Sequence, residues 1–312
     1  MENLCEISVV SPVYQASGNI DELVKRIASV LSHITERYEI VLVEDGSSDN
    51  SWNEILAHCQ VNERVKGIKL SRNFGQHHAI TAGLQYSKGK YVIVMDCDLQ
   101  HDPAYIKDLV FASKEGYDIV YTVVDSREFP FLKNFFSNFF YWLFNMLTDT
   151  TAASRNVGSY SLLTRKAVDA YCQYKDFHRH YLLIVRQLGF RSTEVPIVHH
   201  PRQHGKSSYS LLKLINHAMD GITSQSTKLL RFIVSFGLFF VLGSFIAALI
   251  IVYRYSFQGF LPGWTSLIVV MLLCTGVILL SLGVIGIYIS KLFDQVKKRP
   301  LYLVDQLINF EP

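Results

Sequence analysis

A chain of 312 residues is long enough for one sizeable soluble domain and something more. Its formal net charge of +3, with no basic stripe interleaved with aromatics, excludes nucleic acid as the partner. Five cysteines (Cys5, Cys59, Cys97, Cys172 and Cys274) without a CxxC spacing argue against a disulfide framework or a zinc site and fit a reducing compartment. The opening MENLCEISVV carries acids and no long apolar core, so no secretory leader is expected there and the soluble part is expected in the cytosol.

In chain order, ISVVSPVY reads as a first strand ending at Pro12 and IDELVKRIASVLSHI as an amphipathic helix. EIVLVEDGSSD is a second strand running into a turn, and VKGIKL, YVIVMD and DIVYTV are further short apolar runs bounded by turn signals. Strands separated by helix-length segments predict an α/β domain with a mostly parallel sheet covered on both faces. Ligands on such sheets lie outside the carboxyl ends of the strands, which here carry Pro12, Glu44-Asp45-Gly46 and Asp96-Cys97-Asp98. From Phe129 to Leu147 an aromatic-rich stripe opposes a polar face, which suits a helix in a membrane interface as well as one facing a core. Ser210 to Ile222 repeats the pattern as a juxtamembrane helix.

Charges then nearly vanish. Phe232 to Tyr253 and Ser266 to Ser290 are uncharged runs, each longer than the roughly 20 residues a membrane span needs. Between them, YSFQGFLPGW places Pro262-Gly263 among aromatics, as an interfacial turn does. Lys228 and Arg231 precede the first run, Lys291, Lys297, Lys298 and Arg299 follow the second, and the loop side offers Arg254. The positive-inside rule therefore predicts a hairpin with both termini in the cytosol, at the cytoplasmic membrane. The expected layout is a transferase domain over 1–205, a juxtamembrane helix over 206–231, the hairpin over 232–290 and a cytosolic tail over 291–312. In that tail YLVDQLINF reads as a strand able to pair with another subunit, hence a possible homo-oligomer.

YVIVMDCDLQ carries the most chemistry. Two acids one residue apart at a strand end can hold a divalent cation against a diphosphate, provided the chain leaves the sheet there so that Asp96 and Asp98 converge. Taken alone, the spacing fits ordinary strand-end acids equally well. In EIVLVEDGSSDNS an acid at an early strand end can accept hydrogen bonds from a base or ribose, with Gly46 permitting close approach; Asp45 is the stronger candidate and Glu44 the second. Asp49 fits a helix cap.

SPVY, VEDGSSDNS, LSRNFGQHHAITAGL, VMDCDLQHDP and HHPRQHGKSSYSLLKL occur in an order that resembles the polyprenyl-phosphate glycosyltransferases, family-2 enzymes of GT-A fold. The resemblance covers essentially the whole chain. It implies a nucleotide-sugar donor, preferentially a UDP-sugar, a polyprenyl-phosphate acceptor such as undecaprenyl phosphate, and Mg²⁺ or Mn²⁺ held by Asp96, Asp98 and Gln100, with Asp98 as a catalytic residue. Pro12, Tyr14, Glu44, Asp45 and Asp96 would line the nucleotide-sugar pocket, with Arg72 and Asn73 supporting it. The product would serve cell-envelope glycan or lipopolysaccharide modification, as for O-antigen.

Two departures stand out. Where relatives carry an Asn-Glu pair after the first-strand tyrosine, this chain has Gln15-Ala16. Where many carry a GDFRLL-like segment with an acid discussed as a base, this chain has GSYSLLTRKAV, with Ser159 for the acid and Ser161 for the arginine. A phosphate monoester with a second pKa of about 6 is already largely a dianion at neutral pH, so a base has little to remove. Positive charge matters more: Arg202, Lys206 and Ser207 form a phosphate-binding set with Arg202 as a catalytic cation, and Arg127 and Lys133 add to it. His199, His200 and His204 lack a neighbouring acid or cysteine for a zinc site. Of the competing classes, a processive polysaccharide synthase would carry a QxxRW segment that HYLLIVRQLGF lacks. Against a non-catalytic anchor or flippase subunit, neither run offers an intramembrane acid or base for a transport path, and turnover is the discriminator.

Overall fold

The structure, a computed structural model, describes residues 5–124, 157–198, 228–258 and 263–310. They fall into two units: 5–124, 157–198 and 299–310 form one, and 228–258 with 263–298 the other.

The first unit is built on one eight-stranded mixed sheet. In chain order its elements are β1 (Ile7–Val13), α1 (Ile20–Ser32), β2 (Tyr38–Glu44), α2 (Ser51–Val61), β3 (Val65–Leu70), α3 (Gln76–Tyr86) and β4 (Tyr91–Val94). A short 3₁₀ turn (Pro103–Tyr105) leads into α4 (Ile106–Lys114), β5 (Ile119–Val124), β6 (Val157–Thr164), α5 (Arg165–Gln173), α6 (Tyr181–Gln187) and β7 (Ser192–Ile197). The strand order is β7-β5-β6-β4-β1-β2-β3-β8, where β8 is Val304–Ile308. β1 pairs in parallel with β2 and with β4, β2 with β3, and β5 with β7; β6 enters antiparallel between β4 and β5.

Every residue of β1 and β2 is buried, as a parallel sheet with two covered faces requires. Along β2 the side chains alternate between two cores, Ile40 and Leu42 with α1, α2 and α4, Val41 and Val43 with α3, α5 and α6. Helix α1 buries Ile20, Leu23, Val24, Ile27 and Leu31, one stripe at helical spacing, each side chain worth about 1.5–3 kcal/mol of burial.

Pro12 does not end β1, which runs one residue further. The Val10 carbonyl accepts from Met95 N on the β4 side, and the Val13 carbonyl from Asp45 N on the β2 side. Pro12 therefore faces β4 like Val10, just beyond the end of β4 at Val94, where a missing N–H costs no ladder bond.

The tail is a strand, as its sequence reads, and it joins the sheet of its own chain. β8 pairs antiparallel with β3 of the same chain on one side and is itself the edge strand of the sheet on the other. The β3 edge would otherwise be open, and the tail covers it.

The second unit holds two long helices, α7 (Lys228–Gln258) and α8 (Trp264–Val296). Helix α7 passes Tyr253 and α8 begins at Trp264, so the connection is shorter than YSFQGFLPGW suggested; its breakers are Gly259 and the Pro262-Gly263 pair, and Arg254 to Gln258 contain none. Among the described residues one stretch, Cys274–Val296, is long and apolar enough to cross a membrane, with mean hydropathy 2.0. Leu230–Phe240 is a shorter apolar helical stretch. The helices read over 129–147 and 210–222 lie outside the described residues.

Candidate active site

The order of β1 between β2 and β4 makes a topological switch point, and the loops leaving these strands meet at their carboxyl ends. Three segments converge there: Tyr14 to Gly18 after β1, Glu44 to Asn50 after β2, and Met95 to Asp102 after β4.

The first two loops are fastened together. Gln15 N donates to Ser47 Oγ (3.0 Å), Ala16 N to Ser51 Oγ (3.1 Å) and Ser17 N to Asp49 Oδ2 (3.0 Å); Glu54 accepts from the Ser17 hydroxyl and the Gly18 amide. Gln15 sits at φ +49°, and its side chain donates to Ser48 Oγ (3.5 Å), so Gln15 and Ala16 serve this loop junction. Asp49 also accepts from Ser51 N (3.1 Å), closing the turn into α2 from outside the helix, while the residue at the cap position is Asn50. Tyr14 is 48% exposed at the mouth of the site.

Glu44 and Asp45 are almost wholly buried. Glu44 Oε1 accepts from Ser47 N and shapes the turn. Asp45 receives Phe74 N on Oδ1 (2.7 Å) and Gly75 N on Oδ2 (2.9 Å), so the carboxylate read from sequence as a donor contact holds the RNFG loop. Burial pushes its carboxyl up to about 6 against the pull of those two amides. Gly46, at φ +66°, lies under the same loop: a Cβ there would stand 2.3 Å from Asn73 N. Arg72 and Asn73 are exposed beside the loops, with the Arg72 guanidinium 4.2 Å over the Phe74 ring.

The acidic pair leaves the sheet as its spacing requires. β4 stops at Val94, and Leu99 turns at φ +57°. Asp96 Oδ1 accepts from Gln76 Nε2 (2.7 Å) and Oδ2 from Ser159 Oγ (2.7 Å), while Asp98 Oδ1 accepts from Gln100 N (3.2 Å). Burial raises the Asp96 carboxyl above the usual carboxylate range and the charge of Asp98 adds to this; the two hydrogen bonds and His101 act in the opposite sense. Between them Cys97 is pushed up to about 12 by burial, so it is a thiol and no nucleophile.

Of the residues read from sequence, the structure brings Pro12, Tyr14, Glu44, Asp45, Arg72, Asn73, Asp96, Asp98 and Gln100 to this one end of the sheet. Arg127, Lys133, Arg202, Lys206 and Ser207 lie outside the described residues, as do His199, His200 and His204. Sequence reasoning missed Gln76 as a partner of Asp96, although it ends the RNFGQ motif. It also read Ser159 only as an absent acid.

A divalent cation fits the donor set. Two carboxylates and an amide oxygen are hard ligands, and a carboxyl whose ionisation is opposed by burial and a like charge is one that a cation restores. Among the described residues no three His, Cys, Asp or Glu side chains gather into a complete site, so the remaining ligands would come from a bound diphosphate and water.

The comparisons agree with this architecture. Residues 8–172 match the family Glycosyl transferase family 2. An uncharacterized glycosyltransferase of Bacillus subtilis strain 168, YkcC, is 36% identical over 313 residues, spanning 100% of this chain and 97% of the relative. Another of Synechocystis, sll0501, is 37% identical over 308 residues, 98% and 96% of the two chains. Glucosyl-3-phosphoglycerate synthase from Mycobacterium tuberculosis, solved with Mn²⁺, UDP and phosphoglyceric acid, shares the fold at TM-score 0.50 and 16% identity, over 70% of this chain and 76% of that one. With the family match over more than half the chain and full-length relatives behind it, a GT-A sheet bearing DCD at its switch point belongs here to glycosyl transferase family 2, whose members transfer a glycosyl group from a nucleotide sugar.

Proposed function

We propose that this protein transfers a sugar with inversion from a UDP-sugar to a polyprenyl phosphate at the cytosolic face of the cytoplasmic membrane. The observation that carries the transfer is the exit of Asp96 and Asp98 from β4 at the switch point, with Asp96 gripped from two sides. Asp96, Asp98 and Gln100 are the residues that would hold Mg²⁺ or Mn²⁺, which when bound offsets charge on the leaving diphosphate. The β1 and β2 loops, cross-linked through Ser47, Asp49, Ser51 and Glu54, form a rigid wall for the nucleoside beside exposed Tyr14. A lipid phosphate oxygen attacks the anomeric carbon, and the bond to the diphosphate breaks with its electron pair leaving on the nucleoside diphosphate. Arg202, Lys206 and Ser207 are assigned to position that phosphate, with Arg127 and Lys133 assigned to add positive charge. No base is required at Ser159, because the nucleophile is already anionic. The uridine nucleoside and the polyprenyl acceptor rest on the family resemblance.

Chain connectivity supports the membrane side of this reading. Cys274–Val296 is about 34 Å of helix at about 1.5 Å per residue, against a hydrocarbon core of about 30 Å. After it the chain returns to the first unit as β8 on β3. A chain that leaves this sheet and comes back to it would cross an even number of times, and we assign the second crossing to α7, in which Phe232 to Tyr253 is uncharged. The test is turnover: purified protein, Mn²⁺, a panel of nucleotide sugars and a short polyprenyl phosphate. Transfer from one UDP-sugar to the lipid is expected, and no transfer to lipid from any donor refutes the proposal. Asp98→Asn should lower kcat by at least about 10²-fold with membrane insertion intact; a fully active variant would remove the metal assignment.

A further inference from the structure

Two residues outside the acidic pair close on Asp96 from opposite sides. Ser159 lies on β6, antiparallel to β4 with Val94 opposite Ser161 and Tyr91 opposite Thr164. Continued past the end of β4, that register sets Ser159 directly opposite Asp96, and the two side chains meet at 2.7 Å with the hydroxyl donating to Oδ2. Gln76 is the first residue of α3 and donates Nε2–H to Oδ1, also at 2.7 Å. Its placement follows from Asp45, which holds the amides of Phe74 and Gly75 immediately before it, Gly75 at φ +98°.

We infer that Ser159 and Gln76 are positioning residues, a two-sided clamp that fixes the plane of the Asp96 carboxylate for the cation. This rests on the assignment of Asp96 and Asp98 as its ligands. A free aspartate carboxylate rotates in a broad, roughly twofold well, and one donor on each oxygen removes that freedom. Each oxygen keeps a further lone pair for a cation. Outer partners of this kind typically govern metal affinity by about 10–100-fold. The clamp also gives the serine a role of its own. At hydrogen-bond distance from Asp96, an acid at position 159 would set carboxylate against carboxylate, whereas the serine supplies a donor. Position 159 is thus committed to the donor side of the reaction in this chain, and it steadies a cation ligand where the resembling enzymes carry an acid.

The experiment uses the full chain in detergent and reads Mn²⁺ binding by electron paramagnetic resonance, with Mn²⁺ alone and with Mn²⁺ plus UDP, for wild type, Ser159→Ala, Ser159→Thr, Gln76→Ala and Asp98→Asn. Ser159→Ala and Gln76→Ala should each weaken Mn²⁺ binding by about tenfold or more, with an unchanged melting temperature and an altered Mn²⁺ line shape. Ser159→Thr, which keeps the hydroxyl on a strand, should restore affinity to within about threefold of wild type. If the alanine variants bind Mn²⁺ as tightly as wild type while Asp98→Asn does not, the clamp is wrong and the cation assignment stands. If wild type binds no Mn²⁺ under either condition, or Asp98→Asn binds it equally well, the underlying assignment falls and the clamp with it.

Discussion

Both carboxylate oxygens of Asp45 are held by backbone amides of the neighbouring loop. The residue is 2% exposed, and its two bonds fix Phe74 and Gly75 immediately before Gln76. Its folded-state pKa of about 6 lies above the unfolded value of 3.8. Between those values the folded state binds more protons than the unfolded chain, so this group's contribution to stability falls as pH rises from about 4 to about 6 and is flat above. The stability of wild type relative to Asp45→Asn, taken from melting temperatures in detergent, should therefore shrink across that interval; a constant difference would mean that Asp45 is ionised throughout. Gly46 sits beneath the same loop, and Gly46→Ala combines an unfavourable φ with a Cβ 2.3 Å from a backbone nitrogen. A loss of about 2 kcal/mol or more is expected, with weaker nucleotide binding, measured by denaturation and by UDP titration.

At the scale of elements, β8 is read as a strand from its own residues, but its partner β3 lies far upstream in the chain. Asn309, just past the strand at φ +63°, donates from Nδ2 to the carbonyls of Cys59 (2.7 Å) and Val65 (2.8 Å), tying the tail to the end of α2 and the start of β3. Phe310 packs edge-on against Tyr86, and Lys69 pairs with Asp305 across the two strands. Asn309→Gly keeps the left-handed backbone and removes the side-chain bonds. Asn309→Ala removes both and should be the less stable of the two, with a loss of about 1–3 kcal/mol for the bonds alone. Equal stability of both variants with wild type, measured by thermal unfolding, would show that the tail is not anchored this way. Strand β6 was not legible at all: VGSYSLLT has neither alternation nor a continuous apolar run. It is a central strand because it pairs antiparallel with β4 on one side and β5 on the other.

For the whole molecule, the decisive fact is that the chain returns to its sheet after α8. Under the proposed function, in which both α7 and α8 cross the membrane, the two ends of the helical unit are expected on one side of it. Reporter fusions test this: green fluorescent protein at either terminus should fluoresce in the cytosol, and alkaline phosphatase inserted at residue 260 should be active outside. Termini on opposite faces would contradict the pairing of β8 with β3 or the crossing by α8.

The sequence by itself determined the α/β class, the position of the acids at the strand ends and the apolar character of the C-terminal helices, because hydrophobic period, turn residues and motif spacing are local properties. It also placed DCD at the end of the fourth strand, where β4 does stop short of Asp96. Only the tertiary structure decided what those acids touch. That Ser159 faces Asp96 depends on an antiparallel register between strands separated by more than sixty residues, and that Asp45 turns inward depends on a loop thirty residues away. Non-local pairings of this kind leave no periodic trace in the chain. The acidic pair was therefore readable in advance, and the clamp that orients it was not.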